Sequence, residues 1–172
     1  MSPPTTPLDP LSSPLFIGTH PATIDAEGRI QLPTGLRDAL SLQQPEFRFV
    51  ATLEGDGSVC LRERERWDSW ARDLVERPVG DRRDRATLLT IAAHSAPVKC
   101  DRQGRVRVPD SLLALVGVDR RDKDAREVVL VGGFEEIRIW SPEAWARFSE
   151  AARADLGAGL DRLLRPADGP SD

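Results

Sequence analysis

The sequence predicts an α+β fold in which two copies of one β-hairpin module share a single core. The main observation is a nine-residue pattern that occurs twice, at Asp25–Pro33 and at Asp101–Pro109. Both copies fit the frame D-x-x-G-R-h-x-h-P, where h is aliphatic, and later stretches match in the same order. Self-similarity of this kind indicates a tandem duplication. A module of about 50 residues buries too little surface to be stable alone, so we expect a shared core with pseudo-two-fold symmetry and adjacent hairpins.

Each repeated segment reads as a hairpin. Residues 23–25 and 29–32 alternate as half-buried strands do, with Ile24, Ile30 and Leu32 on one side. Between the strands, an Asp can close an Asx turn and a Gly can adopt a positive φ. The residues predicted to form the two turns are Asp25, Gly28, Asp101 and Gly104.

The rest of each module follows the same plan. Pro33 and Pro109 suit the first turn of a short helix. Two further strands come next, predicted over residues 48–53 and 58–61 in one half and 127–131 and 136–140 in the other. An amphipathic helix with an early Trp then closes each module.

This plan divides the chain into five segments. We predict a disordered N-terminal tail (1–14), a first repeat (15–76), a linker helix (77–95), a second repeat (96–153) and a flexible C-terminal tail (154–172). The last segment is assigned as flexible because it is polar and contains Gly and Pro.

Composition limits the function classes. No apolar run approaches the roughly 18 residues of a membrane helix, and the N-terminus does not resemble a signal peptide. Two cysteines are too few for a disulfide framework, so a reducing cytosol is expected. The two His and two Cys fit no zinc-binding spacing, and no nucleophile stands beside a base, so we expect no metal, no cofactor and no enzyme activity. The net charge of −4 argues mildly against nucleic acid, although 22 of the 24 basic residues are Arg, which favours bidentate contacts.

Several segments together resemble the MraZ family of bacterial transcriptional regulators. They are the two repeated motifs and residues 15–18, 92–96, 127–132 and 137–140. The resemblance implies a tandem swapped-hairpin β-barrel of the AbrB type, with peripheral helices. It also implies a cytoplasmic, nucleoid-associated homo-oligomer, formed as a ring, that binds double-stranded DNA repeats. Such a protein would repress its own division and cell-wall gene cluster. The chain departs from the family pattern in the N-terminal tail, at Glu27 and in a charged insertion at 119–126.

The resemblance assigns DNA contact to the motif arginines, Arg29 and Arg105. The alternative is an ion pair with the Asp four residues earlier, and the two roles can coexist. Arg102 and Arg107 lie on either side of Arg105 within the second motif, and Arg107 alternates with Arg105 along one strand face. They are candidate DNA-binding residues too, although a solvated strand face explains them equally well.

Three other functions remain as alternatives to a DNA-binding regulator. An AbrB-type antitoxin has the same kind of motif, but once per chain. A ring-forming protein-interaction scaffold would suit the acidic net charge and Glu27. An enzyme comes last, for the reason given above.

Overall fold

The computed structural model describes residues 15–40, 47–78 and 80–165. That part of the chain forms eight strands and six helices. The strands are β1 (Thr19–Thr23), β2 (Arg29–Gln31), β3 (Phe47–Leu53), β4 (Val59–Glu63), β5 (Ser95–Cys100), β6 (Arg105–Arg107), β7 (Glu127–Gly132) and β8 (Glu136–Trp140). The helices are α1 (Thr34–Arg37), α2 (Arg64–Glu76), α3 (Arg82–Ala93), α4 (Asp110–Leu115), α5 (Pro142–Ala154) and α6 (Leu156–Leu164).

All eight strands belong to one antiparallel sheet in the order β1-β7-β8-β4-β3-β5-β6-β2. The outermost strands, β1 and β2, are joined by an isolated bridge between Ile24 and Ile30. The sheet therefore curls into a nearly closed barrel, which leaves few unpaired backbone groups at its edges.

The strand order has an internal two-fold relation. Strand β1 of the first half pairs with β7 of the second, and β5 of the second half pairs with β3 of the first. The equivalent strands β2 and β6 pair with each other, as do β4 and β8. The hairpins are thus exchanged between the halves, and the predicted α+β tandem swapped-hairpin barrel with peripheral helices is confirmed.

The core lies inside the barrel and draws on both repeats. Ile24, Ile30 and Leu32 are buried, as the alternation in the first motif predicts, and so are Val106 and Val108 of the second motif. These side chains form one cluster with the inward residues of the other strands. Because each half supplies only part of this cluster, neither half has a closed core of its own.

Helices α2, α4 and α5 pack on the barrel from outside. In α2, the Trp67 indole Nε1 donates a hydrogen bond of 3.0 Å to Oγ1 of the buried Thr52 on β3. Before α5, the Ser141 hydroxyl accepts from the Ala144 amide, and Pro142 occupies the first turn. Trp145 in α5 packs on Trp140. Helix α3 lies inside the segment 77–95.

One predicted segment differs from the structure. Residues 154–172 were expected to form a flexible tail, but α6 occupies Leu156–Leu164. Leucines at 156, 160, 163 and 164 recur at helical spacing, although all four side chains are exposed. The helix forms despite the low helix propensity of its two glycines. The predicted tail over 1–14 lies outside the described residues. Within the described ranges, no helix is long and apolar enough to cross a bilayer.

Candidate nucleic-acid interface

The first D-x-x-G-R loop joins β1 to β2 and is closed by its own aspartate. Asp25 Oδ1 accepts hydrogen bonds from the backbone N–H groups of Glu27 (3.0 Å) and Arg29 (2.8 Å). Asp25 Oδ2 accepts from Arg29 Nε at 2.8 Å, and Glu27 Oε2 accepts from Arg29 Nη2 at 2.9 Å. Gly28 has φ +79°. The Arg29 guanidinium is therefore held by two carboxylates.

The second loop joins β5 to β6 and repeats most of this geometry. Asp101 Oδ1 accepts from the backbone N–H groups of Gln103 (2.9 Å) and Arg105 (3.0 Å), and Gly104 has φ +78°. Asp101 Oδ2 accepts from Arg105 Nε at 2.8 Å. Gln103 stands where the first loop has Glu27, so the Arg105 guanidinium is held by one carboxylate.

The hydrogen bonds also shift the pKa values of the two loop aspartates. The backbone N–H of Arg29, followed by its guanidinium, holds the pKa of Asp25 below its usual range. For Asp101, desolvation raises the pKa, but the backbone N–H and guanidinium of Arg105 outweigh it and the net pKa is lowered. Both aspartates are therefore ionised at neutral pH and can keep the turns closed.

Strands β2 and β6 form a short two-stranded ribbon with an outward polar face. Arg29 pairs with Arg107, and Gln31 pairs with Arg105, while Ile30 and Val106 between them point into the core. Because side chains alternate along a strand, the four polar residues share the solvent side. This face combines side chains from both halves of the chain.

The structure brings three of the four candidate DNA-binding arginines together. Arg29, Arg105 and Arg107 lie on the ribbon. Arg102 lies instead in the second loop, where its side chain is exposed and, among the described residues, forms no ion pair. The four turn residues, Asp25, Gly28, Asp101 and Gly104, occupy the loops that precede the two ribbon strands.

Each loop is also held by residues of the opposite half, which the sequence analysis missed. Gln31 Nε2 donates to the Gln103 carbonyl at 2.8 Å, and the Arg37 side chain packs over Gly104. In the other direction, Arg120 Nη1 donates to the Ala26 carbonyl at 2.5 Å, and Arg120 Nε bonds Asp110 at 2.8 Å. Arg120 belongs to the charged insertion, so that insertion supports the first loop.

A second polar cluster lies on the β4–β8 pair. Arg62 and Arg138 both bind Glu136, and Arg138 Nη1 donates to Asp56 at 2.9 Å. The side chains of Arg62, Glu136 and Arg138 are only 15–21% exposed. Their charges are paired with one another inside this cluster. This cluster therefore offers less free positive charge than the ribbon face.

Neither cysteine is placed to react as a thiolate. Cys60 and Cys100 are buried, and desolvation raises the pKa of both thiols, to about 11 for Cys100. Within the described part of the chain, no three His, Cys, Asp or Glu side chains are grouped as metal ligands.

Comparison with known proteins agrees with the duplicated geometry. The family model for the MraZ protein, whose description adds a resemblance to antitoxins, matches residues 15–90 and matches again over residues 91–165. The chain belongs to the MraZ family. The two matched regions each contain one D-x-x-G-R loop.

Relatives named "Transcriptional regulator MraZ" align with most of the chain. The protein from Thermomicrobium roseum is 30% identical over 87% of this chain and 97% of its own length. The protein from Neisseria gonorrhoeae is 34% identical over 76% and 83%, and that from Thioalkalivibrio sulfidiphilus is 29% identical over 77% and 84%. These relatives are matched over 83–97% of their own length, which supports comparison at the level of the whole protein.

Proposed function

We propose that the chain is a sequence-specific DNA-binding transcriptional regulator that contacts DNA through the β2–β6 ribbon and its two loops. The observation that carries the proposal is the outward face on which Arg29, Arg105, Arg107 and Gln31 are collected from both repeats. The names of the MraZ relatives support the regulatory role. In this proposal the protein is a cytoplasmic, nucleoid-associated repressor of its own division and cell-wall gene cluster.

The shape and chemistry of the ribbon fit double-stranded DNA. The major groove of B-DNA is about 12 Å wide and admits a two-stranded β-ribbon. Arg can bind guanine or a phosphate in a bidentate manner, and Gln can bind adenine. The loop aspartates fix the orientation of Arg29 and Arg105 before binding, so less side-chain entropy is lost on contact.

The acidic net charge is compatible with DNA binding when several copies of the chain form an oligomer. We propose a homo-oligomeric ring that presents several ribbons to neighbouring operator repeats. Linked sites raise avidity by about a hundredfold or more without any new contact. The leucines that α6 leaves exposed, at 156, 160, 163 and 164, provide apolar surface for association.

A titration of labelled upstream DNA tests the proposal. Wild type and Arg29→Ala/Arg105→Ala are titrated against DNA with one repeat or several, at two salt concentrations, by fluorescence anisotropy. Arg147→Ala is the matched control, because Arg147 is exposed on α5 and pairs only with Glu143 among the described residues. We expect tighter binding to several repeats, a marked loss in the double variant and no change in the control.

The opposite result supports a different function. If binding is indifferent to repeat number, salt and the two arginines, the protein-interaction scaffold becomes the better candidate. The net charge of −4 and the exposed leucines of α6 are the observations that favour it.

A further inference from the structure

The two D-x-x-G-R loops have the same backbone but opposite charge. The five residues from Asp25 to Arg29 contain two carboxylates and one guanidinium, whereas those from Asp101 to Arg105 contain one carboxylate and two guanidinium groups. The formal charges are therefore −1 and +1. The difference comes from two matched positions, Ala26 with Arg102 and Glu27 with Gln103.

The two motif arginines, Arg29 and Arg105, are equally exposed. The side chains are 35% exposed in Arg29 and 34% exposed in Arg105, and each makes one Nε bond of 2.8 Å to its aspartate. The two arginines differ in their remaining contacts. Arg29 Nη2 is bound by Glu27, which is itself 62% exposed, while among the described residues Arg105 has no second carboxylate.

The Glu27 contact makes Arg29 less available than Arg105 to bind a phosphate. To bind DNA, Arg29 must give up the Glu27 contact or bring that carboxylate near the phosphate, and either costs free energy. Arg105 can keep its Asp101 bond and still offer its terminal nitrogens. Arg102 adds an exposed cation to the same loop.

The second loop, like the first, is held by residues of the opposite half. Gln31 Nε2 donates to the Gln103 carbonyl, and the Arg37 side chain packs over Gly104. These contacts come from the first repeat, so the loop geometry is set by the closed barrel rather than by the loop alone. A preorganised loop loses less conformational entropy on binding, and both loops share this advantage, so the inequality between them rests on their charges.

From these observations we infer that the two motifs are functionally unequal. The Asp101–Arg105 loop, with Arg105 and Arg102, makes the dominant phosphate and base contacts, and Glu27 attenuates the Asp25–Arg29 loop. Gln31 and Arg37 are positioning residues for the dominant loop. This inference rests on the proposed DNA-binding function.

A reciprocal exchange at one matched position tests the inequality. Glu27→Gln gives the first loop the residue of the second, and Gln103→Glu does the reverse; both side chains are exposed, so folding should be retained. The exchanges are measured with Arg29→Ala and Arg105→Ala on the same upstream DNA, by anisotropy at several salt concentrations. Circular dichroism melts check that each variant is folded.

We expect Arg105→Ala to weaken binding by about tenfold or more and Arg29→Ala by less than about threefold. Gln103→Glu should weaken binding and Glu27→Gln should strengthen it. In the Glu27→Gln background, Arg29→Ala should become costly. The salt dependence should lose about one phosphate contact with Arg105→Ala and less with Arg29→Ala.

Two failures can be told apart. If wild type binds the DNA and Arg29→Ala costs as much as Arg105→Ala, with neither exchange changing affinity, the inequality is wrong while DNA binding stands. If wild type shows no salt-dependent binding to the DNA, the proposed function itself is wrong.

Discussion

Replacing each loop glycine by alanine should destabilise the protein, and by different amounts. Gly28 and Gly104 have nearly the same φ, +79° and +78°. An L residue in this left-handed region costs about 1–2 kcal/mol. This common term is the whole effect for Gly28→Ala, since the new Cβ would lie 3.4 Å from Arg120 Cδ, an ordinary van der Waals distance.

Gly104→Ala should cost more because its surroundings are tighter. The Cβ would lie 2.7 Å from Arg37 Cδ and 3.2 Å from Gln31 Nε2. The flexible Arg37 side chain can move, but displacing Gln31 weakens its bond to the Gln103 carbonyl. Loss of such a bond adds about 1 kcal/mol, so we expect a total of about 2–3 kcal/mol.

Thermal unfolding can resolve this difference. For a chain of this size, 1 kcal/mol shifts Tm by about 2–4 °C, so Gly104→Ala should melt about 2–4 °C below Gly28→Ala. Tryptophan fluorescence reports unfolding, at one fixed protein concentration because association adds to apparent stability. In an Arg37→Ala background, the excess cost of Gly104→Ala should shrink. Wild-type melting for both alanine variants would refute the argument from φ and contact distance.

Three further outcomes follow from the structure. Cys60 and Cys100 should resist a thiol reagent at pH 8 until denaturant is added, because at a pKa of about 11 only about one Cys100 thiol in a thousand is ionised and both are buried. Asp101→Asn should lower stability above about pH 4; since the folded pKa of Asp101 is below its ordinary 3.8, the gap from wild type in urea unfolding should close on acidification through that folded pKa. Trp67→Phe should cost about 1 kcal/mol in urea unfolding, because the hydroxyl of buried Thr52 loses a donor, whereas Arg147→Ala should not.

Local sequence determined what was predicted correctly about the fold. The alternation around Ile24 and Ile30 and the duplicated turn chemistry indicated the hairpins, because these are short-range requirements. The resemblance to a family added the exchanged pairing. The supports of the two loops were not predictable, since Gln31, Arg37 and Arg120 reach them only through contacts between the halves.

For helix α6, the prediction from sequence was wrong because a local rule was given too much weight. Two glycines and polar neighbours favoured a tail, while the leucine spacing favoured the helix that the structure has there. At the candidate interface, the sequence named the arginines but not their unequal pairing. That pairing depends on Glu27 reaching Arg29 across the turn, a side-chain geometry that no spacing rule specifies.

The exchange of hairpins has a consequence for how the chain is synthesised. Strand β1 leaves the ribosome early, but Thr19 finds its partner only when Val131 has been made. At roughly 5–20 residues per second, that delay is on the order of ten seconds. During this time the first repeat presents unpaired strand edges and an incomplete apolar face. In a nascent chain of this topology, strands of the first repeat stay unpaired until their partners in the second repeat have been synthesised. A chain truncated within the second repeat should therefore aggregate rather than fold as a separate first repeat.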